Sequence, residues 1–373
     1  MSHTTLFSLL ALLLSVAPLS AQRSPDSAVG IYHWGGKKSR SVSQGVEEIA
    51  GLGGRIVRIA LSARNRADYN MGGGCIESFN LAKAVREDSD LRQALGHPKI
   101  DVVIITAFDG IGYPDCSTPW HMVSSFYTSE RIEAMEKEYS DFVVALFDLY
   151  RGKRFILTNR ESDNAIYCGS VHFYISSSSF RENCDSQYPA LYGGNHSTAD
   201  SFQALRLWME VRWRGILDGK RRAADAGHSG VEVFLALEFN AVQALKERGL
   251  PSVLHNLTRN VVFDYLSYSA YESINNREPD RRLVADLDEI RAISGSSHII
   301  IGETGFARSV WGSESTVRTA KVQEAALRWG VPFLIHWNLY DQDTGSDYGL
   351  FDQENVLTSL GEHYRSIFSR VNQ

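Results

Sequence analysis

Two glutamates, Glu161 and Glu303, each follow an apolar run that is rich in β-branched residues, at 154–159 and 298–302 respectively. Such runs predict buried strands. Where two carboxyl groups face each other across a substrate, one donates a proton to the leaving oxygen and the other, ionised, attacks the carbon. This pairing is typical of glycosidic bond cleavage, in which carboxyl groups about 5–5.5 Å apart give retention of configuration and a wider gap gives inversion.

Eight apolar runs of this kind alternate with longer amphipathic stretches along the chain. The predicted strands are at 29–34, 55–61, 101–107, 154–159, 231–237, 263–268, 298–302 and 332–337. The predicted helices are at 42–50, 129–150, 198–226, 280–293 and 315–329. This alternation predicts an α/β fold, a single (β/α)8 TIM barrel. A doubly wound open sheet is the alternative, although no predicted strand is followed by the glycine-rich motifs of its cofactor sites.

The segments that follow the predicted strands are much longer than those that precede them. The long segments are at 63–80, 109–128, 161–196 and 338–352. In a TIM barrel the loops after the strands form the catalytic face. Because side chains alternate along a strand, Asn159 and Glu161 are expected on one side, and Glu303 on the same side as Ile301. We therefore expect both glutamates to meet over the barrel mouth.

With these two glutamates after the fourth and seventh strands, and Ile-His-Trp-Asn at 335–338, the chain resembles the clan A glycoside hydrolases. These are retaining (β/α)8 enzymes. The resemblance implies cleavage of O-glycosidic bonds in an oligo- or polysaccharide, without a cofactor, with Glu161 as acid/base and Glu303 as nucleophile. It also implies that Trp337 forms an aromatic floor under the sugar. The motifs do not identify a numbered family.

The sequence departs from the clan pattern beside the first glutamate. Clan A enzymes typically have Asn directly before the acid/base Glu, where it holds the sugar 2-hydroxyl, whereas here Arg160 separates Asn159 from Glu161. The departure concerns the acid/base more than the nucleophile. It leaves Asp163 and Glu238 as alternative candidates for that role.

Further polar and aromatic residues at the predicted strand ends are candidates for substrate binding. Arg58, together with Tyr268 or Tyr271, is expected to support Glu303, while His33 is expected to bond a sugar hydroxyl or else to pack in the core. Asp109 is expected to contact the substrate or to cap a turn. The complete set of predicted substrate contacts is Asn159, Trp337, Tyr268, Tyr271, Arg58, His33, Trp34 and Asp109.

Other reaction classes lack their signatures in this sequence. The 11 histidines are scattered and form no H-E-x-x-H motif, so no metal site is expected. No G-x-S-x-G motif of a serine hydrolase occurs. Two alternatives remain open: a catalytically silent barrel that binds carbohydrate, and a transglycosylase that uses the same site.

The N-terminus has the features of an export signal. An apolar run at 6–19 is followed by the small residues Ser20 and Ala21, which predicts a signal peptide at 1–21 and a mature catalytic domain at 22–373. A retained membrane anchor is the alternative. We expect a secreted or periplasmic monomer with no membrane partner after cleavage, and the net charge of −6 argues against a nucleic-acid partner.

Export would place the four cysteines in an oxidising compartment, where disulfides form. The set contains no C-x-x-C pair of the kind found in zinc or thioredoxin-like sites. Pairing of neighbours predicts Cys75–Cys116 and Cys168–Cys184, with free buried thiols as the alternative.

Overall fold

The computed structural model describes residues 28–35, 40–69, 74–113, 122–192, 197–341 and 347–370. Eight parallel strands form a closed barrel in chain order, and the last strand pairs with the first. The strands are β1 (Val29–His33), β2 (Ile56–Leu61), β3 (Val102–Ala107), β4 (Lys153–Thr158), β5 (Val231–Phe239), β6 (Tyr265–Ser269), β7 (Ile299–Thr304) and β8 (Leu334–His336). The predicted single TIM barrel is therefore confirmed.

Fifteen α-helices are described around and above this barrel. They are α1 (Val42–Gly51), α2 (Asn65–Asp68), α3 (Leu81–Glu87), α4 (Ser89–Gly96), α5 (Ser129–Leu149), α6 (Ser162–Ile166), α7 (Val171–Ser176), α8 (Ser178–Tyr192), α9 (Thr198–Asp225), α10 (Val253–Asn256), α11 (Tyr271–Ile274), α12 (Pro279–Ser294), α13 (Arg308–Trp311), α14 (Glu314–Trp329) and α15 (Ser359–Arg370). Short 3-10 turns lie at Ser124–Phe126 and Lys246–Arg248.

Local sequence sets where the long outer helices begin and end. Ser41 forms a capping box with Gln44 at the start of α1, and the Thr128 side chain caps α5. These caps satisfy backbone N–H groups that have no partner within the helix. Gly295 and Gly330 end α12 and α14 in the left-handed conformation, which glycine adopts without steric cost.

The strands are buried on both faces, which explains their continuous Val, Ile and Leu content. One set of side chains packs inside the barrel, and the alternate set packs against the helices. The inner apolar set consists of Tyr32, Ile56, Val102, Ile104, Ile156, Ala236, Ile300, Phe333 and Ile335. This division decides which strand-end residues can reach the barrel mouth.

The predicted long segment at 161–196 contains three helices, α6, α7 and α8, which the sequence analysis did not identify. The Cys168–Cys184 disulfide joins the turn after α6 to α8, as predicted. Cys75 is also in a disulfide. Its expected partner Cys116 lies outside the described residues, as does the predicted signal peptide. In the described part of the chain, no helix has both the length and the apolar character needed to cross a membrane.

Candidate active site

A cleft of about 660 Å³ opens at the carboxyl ends of the strands. It brings together five residues that the sequence analysis selected. These are Trp34 after β1, Glu161 after β4, Tyr271 after β6, Glu303 in β7 and Trp337 after β8. The cleft thus lies where a TIM barrel places its active site, and it contains both predicted glutamates.

Glu303 reaches the cleft because β7 departs from regular alternation. Ile299 and Ile301 pack in the outer core, so a regular strand would turn Glu303 outward as well. The pairing of β7 with β8 shifts register between Ile301 and Thr304, and its pairing with β6 shifts beside Ser269. The irregular pairing explains how Glu303 lines the cleft although Ile301 packs outside the barrel. The expectation that Glu303 and Ile301 share a side is therefore wrong.

Glu303 is nearly buried, with 8% of its surface exposed. Burial raises the pKa of this carboxyl well above its usual range, the Arg58 guanidinium opposes the shift, and the charge of Glu161 adds to it. Nη1 of Arg58 lies 3.5 Å from Oε1 of Glu303. The carboxyl therefore shares the cleft with a buried cation and a second carboxyl group.

Glu161 is half-buried and held by two hydrogen bonds. The Ser269 hydroxyl donates to Oε1 at 2.5 Å, and the Asn164 amide donates to Oε2 at 2.5 Å. Ser269 is also the register partner of Glu303 across β6 and β7. Ser269 therefore contacts Glu161 through its hydroxyl and lies beside Glu303 in the neighbouring strand.

An aromatic wall forms the β8–β1 side of the cleft. The Trp34 and Trp337 rings lie 5.8 Å apart, centroid to centroid, and Tyr32 packs edge-on against Trp337 at 4.8 Å. Flat aromatic faces of this kind suit an apolar sugar face. The Arg160 guanidinium lies 5.9 Å from the Trp34 ring, so the residue that interrupts the clan pattern is part of the cleft lining.

Arg58 lies beneath the cleft, fully buried. Its Nη1 donates to the Gly302 carbonyl at 3.0 Å, and its Nε and Nη2 both donate to the Thr106 hydroxyl. Nη2 also donates to Glu238 at 2.9 Å. Arg58 is therefore held by three strands besides its own, and it supports Glu303 from below rather than lining the cleft.

Asn159 and Tyr268 were expected to bind substrate, but the structure does not bring them into the cleft. The Asn159 amide is fully buried and joins β4 to β5, accepting from the Glu238 N–H at 2.8 Å and donating to its carbonyl at 3.1 Å. Tyr268 stacks on Phe239 and hydrogen-bonds Ser273. Both side chains leave their strands on the outer side of the barrel.

His33 and Asp109 are also directed outward. Nε2 of His33 donates to the Ser41 carbonyl at 3.0 Å at the start of α1, and burial lowers the pKa of the ring to about 4. The Asp109 carboxylate accepts from the Tyr139 hydroxyl and the Trp208 indole, each at 3.2 Å. The alternatives of core packing for His33 and turn capping for Asp109 fit this placement, because Asp109 also accepts from the Gly112 N–H.

Neither alternative to Glu161 reaches the cleft. Asp163 is fully buried and accepts hydrogen bonds from the backbone N–H groups of Val253, Asn240 and Ala241. Glu238 is fully buried in the barrel against Arg58. Among the three carboxyl groups considered for the acid/base, Glu161 is the one that lines the cleft.

Two residues that hold the site, Ser269 and Asn164, were not predicted from the sequence. Asn164 stands three residues after Glu161 at the start of a helix, a spacing at which side chains meet, so this signal was available. Ser269 follows the end of predicted strand six, where sequence alone gives no reason to select it. Within the described ranges, no group of three or more His, Cys, Asp or Glu side chains could hold a metal ion.

Comparison with known proteins identifies relatives at the level of the fold. No family model matches the chain, and no curated protein sequence matches it. Among solved structures, the apo β-glucosidase 1317 has 13% identity and a TM-score of 0.55 over 88% of this chain and 87% of its own. The β-glycosidase BGL167 has 13% identity and a TM-score of 0.54 over 94% and 97%.

A third similar structure is a GH5_18 protein from Bifidobacterium longum subsp. longum in complex with Manβ1-4GlcNAc. It has 14% identity and a TM-score of 0.54, over 92% of this chain and 78% of its own. The barrel resemblance to clan A glycosidases is thus confirmed. At these identities the shared property is the fold.

Proposed function

We propose that this protein is a glycoside hydrolase that cleaves O-glycosidic bonds in an oligo- or polysaccharide with retention of configuration. The observation that carries the proposal is the placement of Glu161 and Glu303, from the ends of β4 and β7, in one cleft beside Trp337. The glycosidases with the same barrel support this assignment.

In the proposed first step, ionised Glu303 attacks the anomeric carbon and forms a glycosyl ester. The bond to the leaving oxygen breaks as Glu161 transfers its proton to that oxygen. In the second step Glu161, now ionised, takes a proton from water. The resulting hydroxide oxygen bonds to the anomeric carbon, and Glu303 leaves as a carboxylate.

Burial raises the pKa of Glu303, and the buried Arg58 cation opposes that rise, which supports Glu303 as the carboxylate that attacks. The charge of Glu161 also raises the pKa of Glu303, so Glu303 ionises more easily while Glu161 carries a proton. Arg58 favours the ionised form of Glu303. Formation of the ester removes the Glu303 charge, and Glu161, which has given its proton to the leaving oxygen, is then the base of the second step.

We also propose that the chain is exported. The apolar run at 6–19 and the Cys168–Cys184 disulfide support this, because disulfides persist in oxidising compartments. Detection of a mature chain that begins at Gln22 in the extracytoplasmic fraction would test the proposed cleavage site.

A panel of aryl glycosides of several sugars tests the activity. We expect Glu303→Ala to lower turnover of the cleaved substrate by about 1000-fold or more, and Glu161→Ala to lower it most for poor leaving groups. Glu87→Ala, which removes an exposed glutamate at the end of α3, is the matched control and should keep wild-type turnover. Wild-type turnover in Glu303→Ala would refute the nucleophile assignment.

Trapping identifies the nucleophile directly. A 2-deoxy-2-fluoro glycoside of the sugar found in the panel should form a stable ester on the peptide that contains Glu303, detected by mass spectrometry. An ester on Glu161 would reverse the two roles. Binding of oligosaccharides without cleavage of any panel member would favour the silent barrel, and longer products in the presence of an acceptor sugar would favour the transglycosylase.

A further inference from the structure

Glu238 is a buried carboxylate that the proposed reaction does not use. It lies near the end of β5 inside the barrel, with no exposed surface. Nη2 of Arg58 donates to its Oε1 at 2.9 Å, and Nη1 of Arg58 lies 2.7 Å from its Oε2. The Ser267 hydroxyl donates to Oε2 at 2.7 Å. Burial raises the pKa of Glu238, and these donors to both of its oxygens oppose that rise.

Glu238 and Glu303 compete for the same cation. Nη1 of Arg58 is 2.7 Å from Glu238 but 3.5 Å from Glu303, and the same nitrogen donates to the Gly302 carbonyl. A separation of 3.5 Å is too long for a strong charge-assisted hydrogen bond. The guanidinium thus makes its close contacts with the carboxylate that lies outside the cleft.

The backbone of β7 makes room for this arrangement at Gly302. A Cβ atom at that position would lie 2.6 Å from Oε2 of Glu238 and 3.0 Å from Nη1 of Arg58, and it would overlap the Ser267 hydroxyl. Real Cβ atoms essentially never approach other atoms at 2.6 Å. The close packing of Arg58, Glu238 and Ser267 therefore depends on a glycine directly before Glu303.

We propose that Glu238 is a positioning residue, which holds the Arg58 guanidinium away from Glu303 and thereby leaves the nucleophile weakly paired in the cleft. The inference rests on the proposed function, since it concerns how Glu303 is prepared for attack. A weakly paired carboxylate keeps more of its negative charge available to the anomeric carbon than one locked in a bidentate ion pair. The same arrangement keeps Glu303 harder to ionise, because Glu238 offsets the positive charge of Arg58.

The ionisable groups around Arg58 and Glu238 come from several elements. Tyr32 of β1 lies under the guanidinium, with its ring 4.5 Å from Cζ, and burial keeps its hydroxyl neutral by raising its pKa.

Glu303 faces the pair from β7, and the charge of Glu161, after β4, raises the pKa of Glu238. Arg160 favours ionised Glu303 from the cleft side. Ser267 of β6, Thr106 of β3 and Asn159 complete the surroundings with uncharged groups.

Glu238→Gln tests the proposal, since it keeps the size of the side chain and removes its charge. With the full charge of Arg58 acting on Glu303, the pKa of Glu303 should fall by about one unit or more. We would follow the carboxyl ¹³C resonance of Glu303 through a pH titration of ¹³C-glutamate-labelled protein, assigned by its loss in Glu303→Gln. The acid limb of the pH dependence of kcat/KM should move to lower pH by the same amount.

Glu138→Gln is the matched control, because Glu138 is another buried glutamate but lies on α5 and accepts from the backbone of Leu81 and Gly110. It should leave the Glu303 titration unchanged. An unchanged or raised Glu303 pKa in folded Glu238→Gln would overturn the proposal. The NMR titration needs no turnover, so a shifted resonance in a protein without glycosidase activity would support the role of Glu238 while refuting the proposed function.

A second variant covers the case in which circular dichroism shows that Glu238→Gln does not fold. Glu238→Asp keeps the charge but is too short to contact both nitrogens of Arg58 at their present positions. We expect Glu238→Asp to lower the pKa of Glu303 by less than Glu238→Gln does. A Glu303 titration identical to that of the wild type in folded Glu238→Asp would then overturn the proposal.

Discussion

The Ser269 hydroxyl donates a hydrogen bond of 2.5 Å to Oε1 of Glu161 from the end of β6. Ser269 itself has no exposed surface and pairs in register with Glu303. The proposed acid/base is therefore oriented by the strand that lies beside the proposed nucleophile. A small hydroxyl at this position fixes the direction of Glu161 across the mouth of the barrel.

Ser269→Ala should lower kcat/KM by about 2- to 10-fold, because a hydrogen bond to the proton-bearing carboxyl of Glu161 contributes about 0.5–1.5 kcal/mol. The measurement is steady-state kinetics on the substrate found in the glycoside panel. Ser366→Ala on the exposed face of α15 is the control and should keep the wild-type kcat/KM. Wild-type kcat/KM in Ser269→Ala would show that Glu161 needs no support from β6.

Trp337→Ala should lower kcat/KM by about 10- to 100-fold, since it removes one of the two indoles of the aromatic wall. Trp337→Phe should retain most of the activity because it keeps a flat apolar face. The comparison variant is Trp329→Phe, at the C-terminal end of α14, whose indole donates to Asp288 far from the cleft. Equal activity in Trp337→Ala and wild type would exclude stacking at this position.

Glu303→Gln should stabilise the fold at alkaline pH. Burial raises the pKa of Glu303 in the folded state, so the unfolded chain gives up this proton at lower pH than the native protein. Stability is therefore lost as the pH rises from the usual glutamate range through the raised pKa. The Tm difference between Glu303→Gln and wild type should grow from pH 5 to pH 9.

The exposed residue Glu87 supplies the control for this stability comparison, and Glu87→Gln should show no such pH trend. Equal Tm differences for Glu303→Gln at the two pH values would mean that the proton affinity of Glu303 does not change on folding.

Gly302→Ala should destabilise the protein by about 1–3 kcal/mol or more, because the new methyl group has no room beside Glu238 and Ser267. Urea denaturation measures the change. Gly51→Ala is the matched control: Gly51 ends α1, and a Cβ there meets nothing within 4 Å, so this variant should be neutral or slightly stabilising. If Gly302→Ala were as stable as wild type, the side chains around Gly302 could move aside for the methyl group at little cost in the free energy of unfolding.

The sequence predicted all eight strands to within two residues at each end, because the strands are short runs that are mostly buried on both sides. It also predicted the pair of glutamates and the two tryptophans of the cleft, Trp34 and Trp337. Apolar content identifies a buried strand without saying which of its alternate side chains faces inward. That ambiguity accounts for most of the errors at the site.

Tyr32 of β1 and Ile104 of β3 point into the barrel. Because side chains alternate along a strand, the odd-numbered residues of these two strands point outward. His33 and Asp109 are odd-numbered and point outward. His33 hydrogen-bonds Ser41 before α1, and Asp109 hydrogen-bonds Tyr139 of α5. Glu303 would have been outward by the same rule, and the register shift in β7 brings it inward. Such an irregularity depends on how neighbouring strands pair, which a linear pattern of residue types does not contain.

The Cys168–Cys184 disulfide encloses α7, whose residues Val171, His172 and Ile175 line the cleft. None of these three belongs to a barrel strand, and the segment is fastened on both sides of its contact with the cleft. The sequence of this wall can therefore change while Glu161, after β4, and Glu303, in β7, stay in place. The fold separates the part that would choose the length and shape of the sugar chain from the part that would cut it.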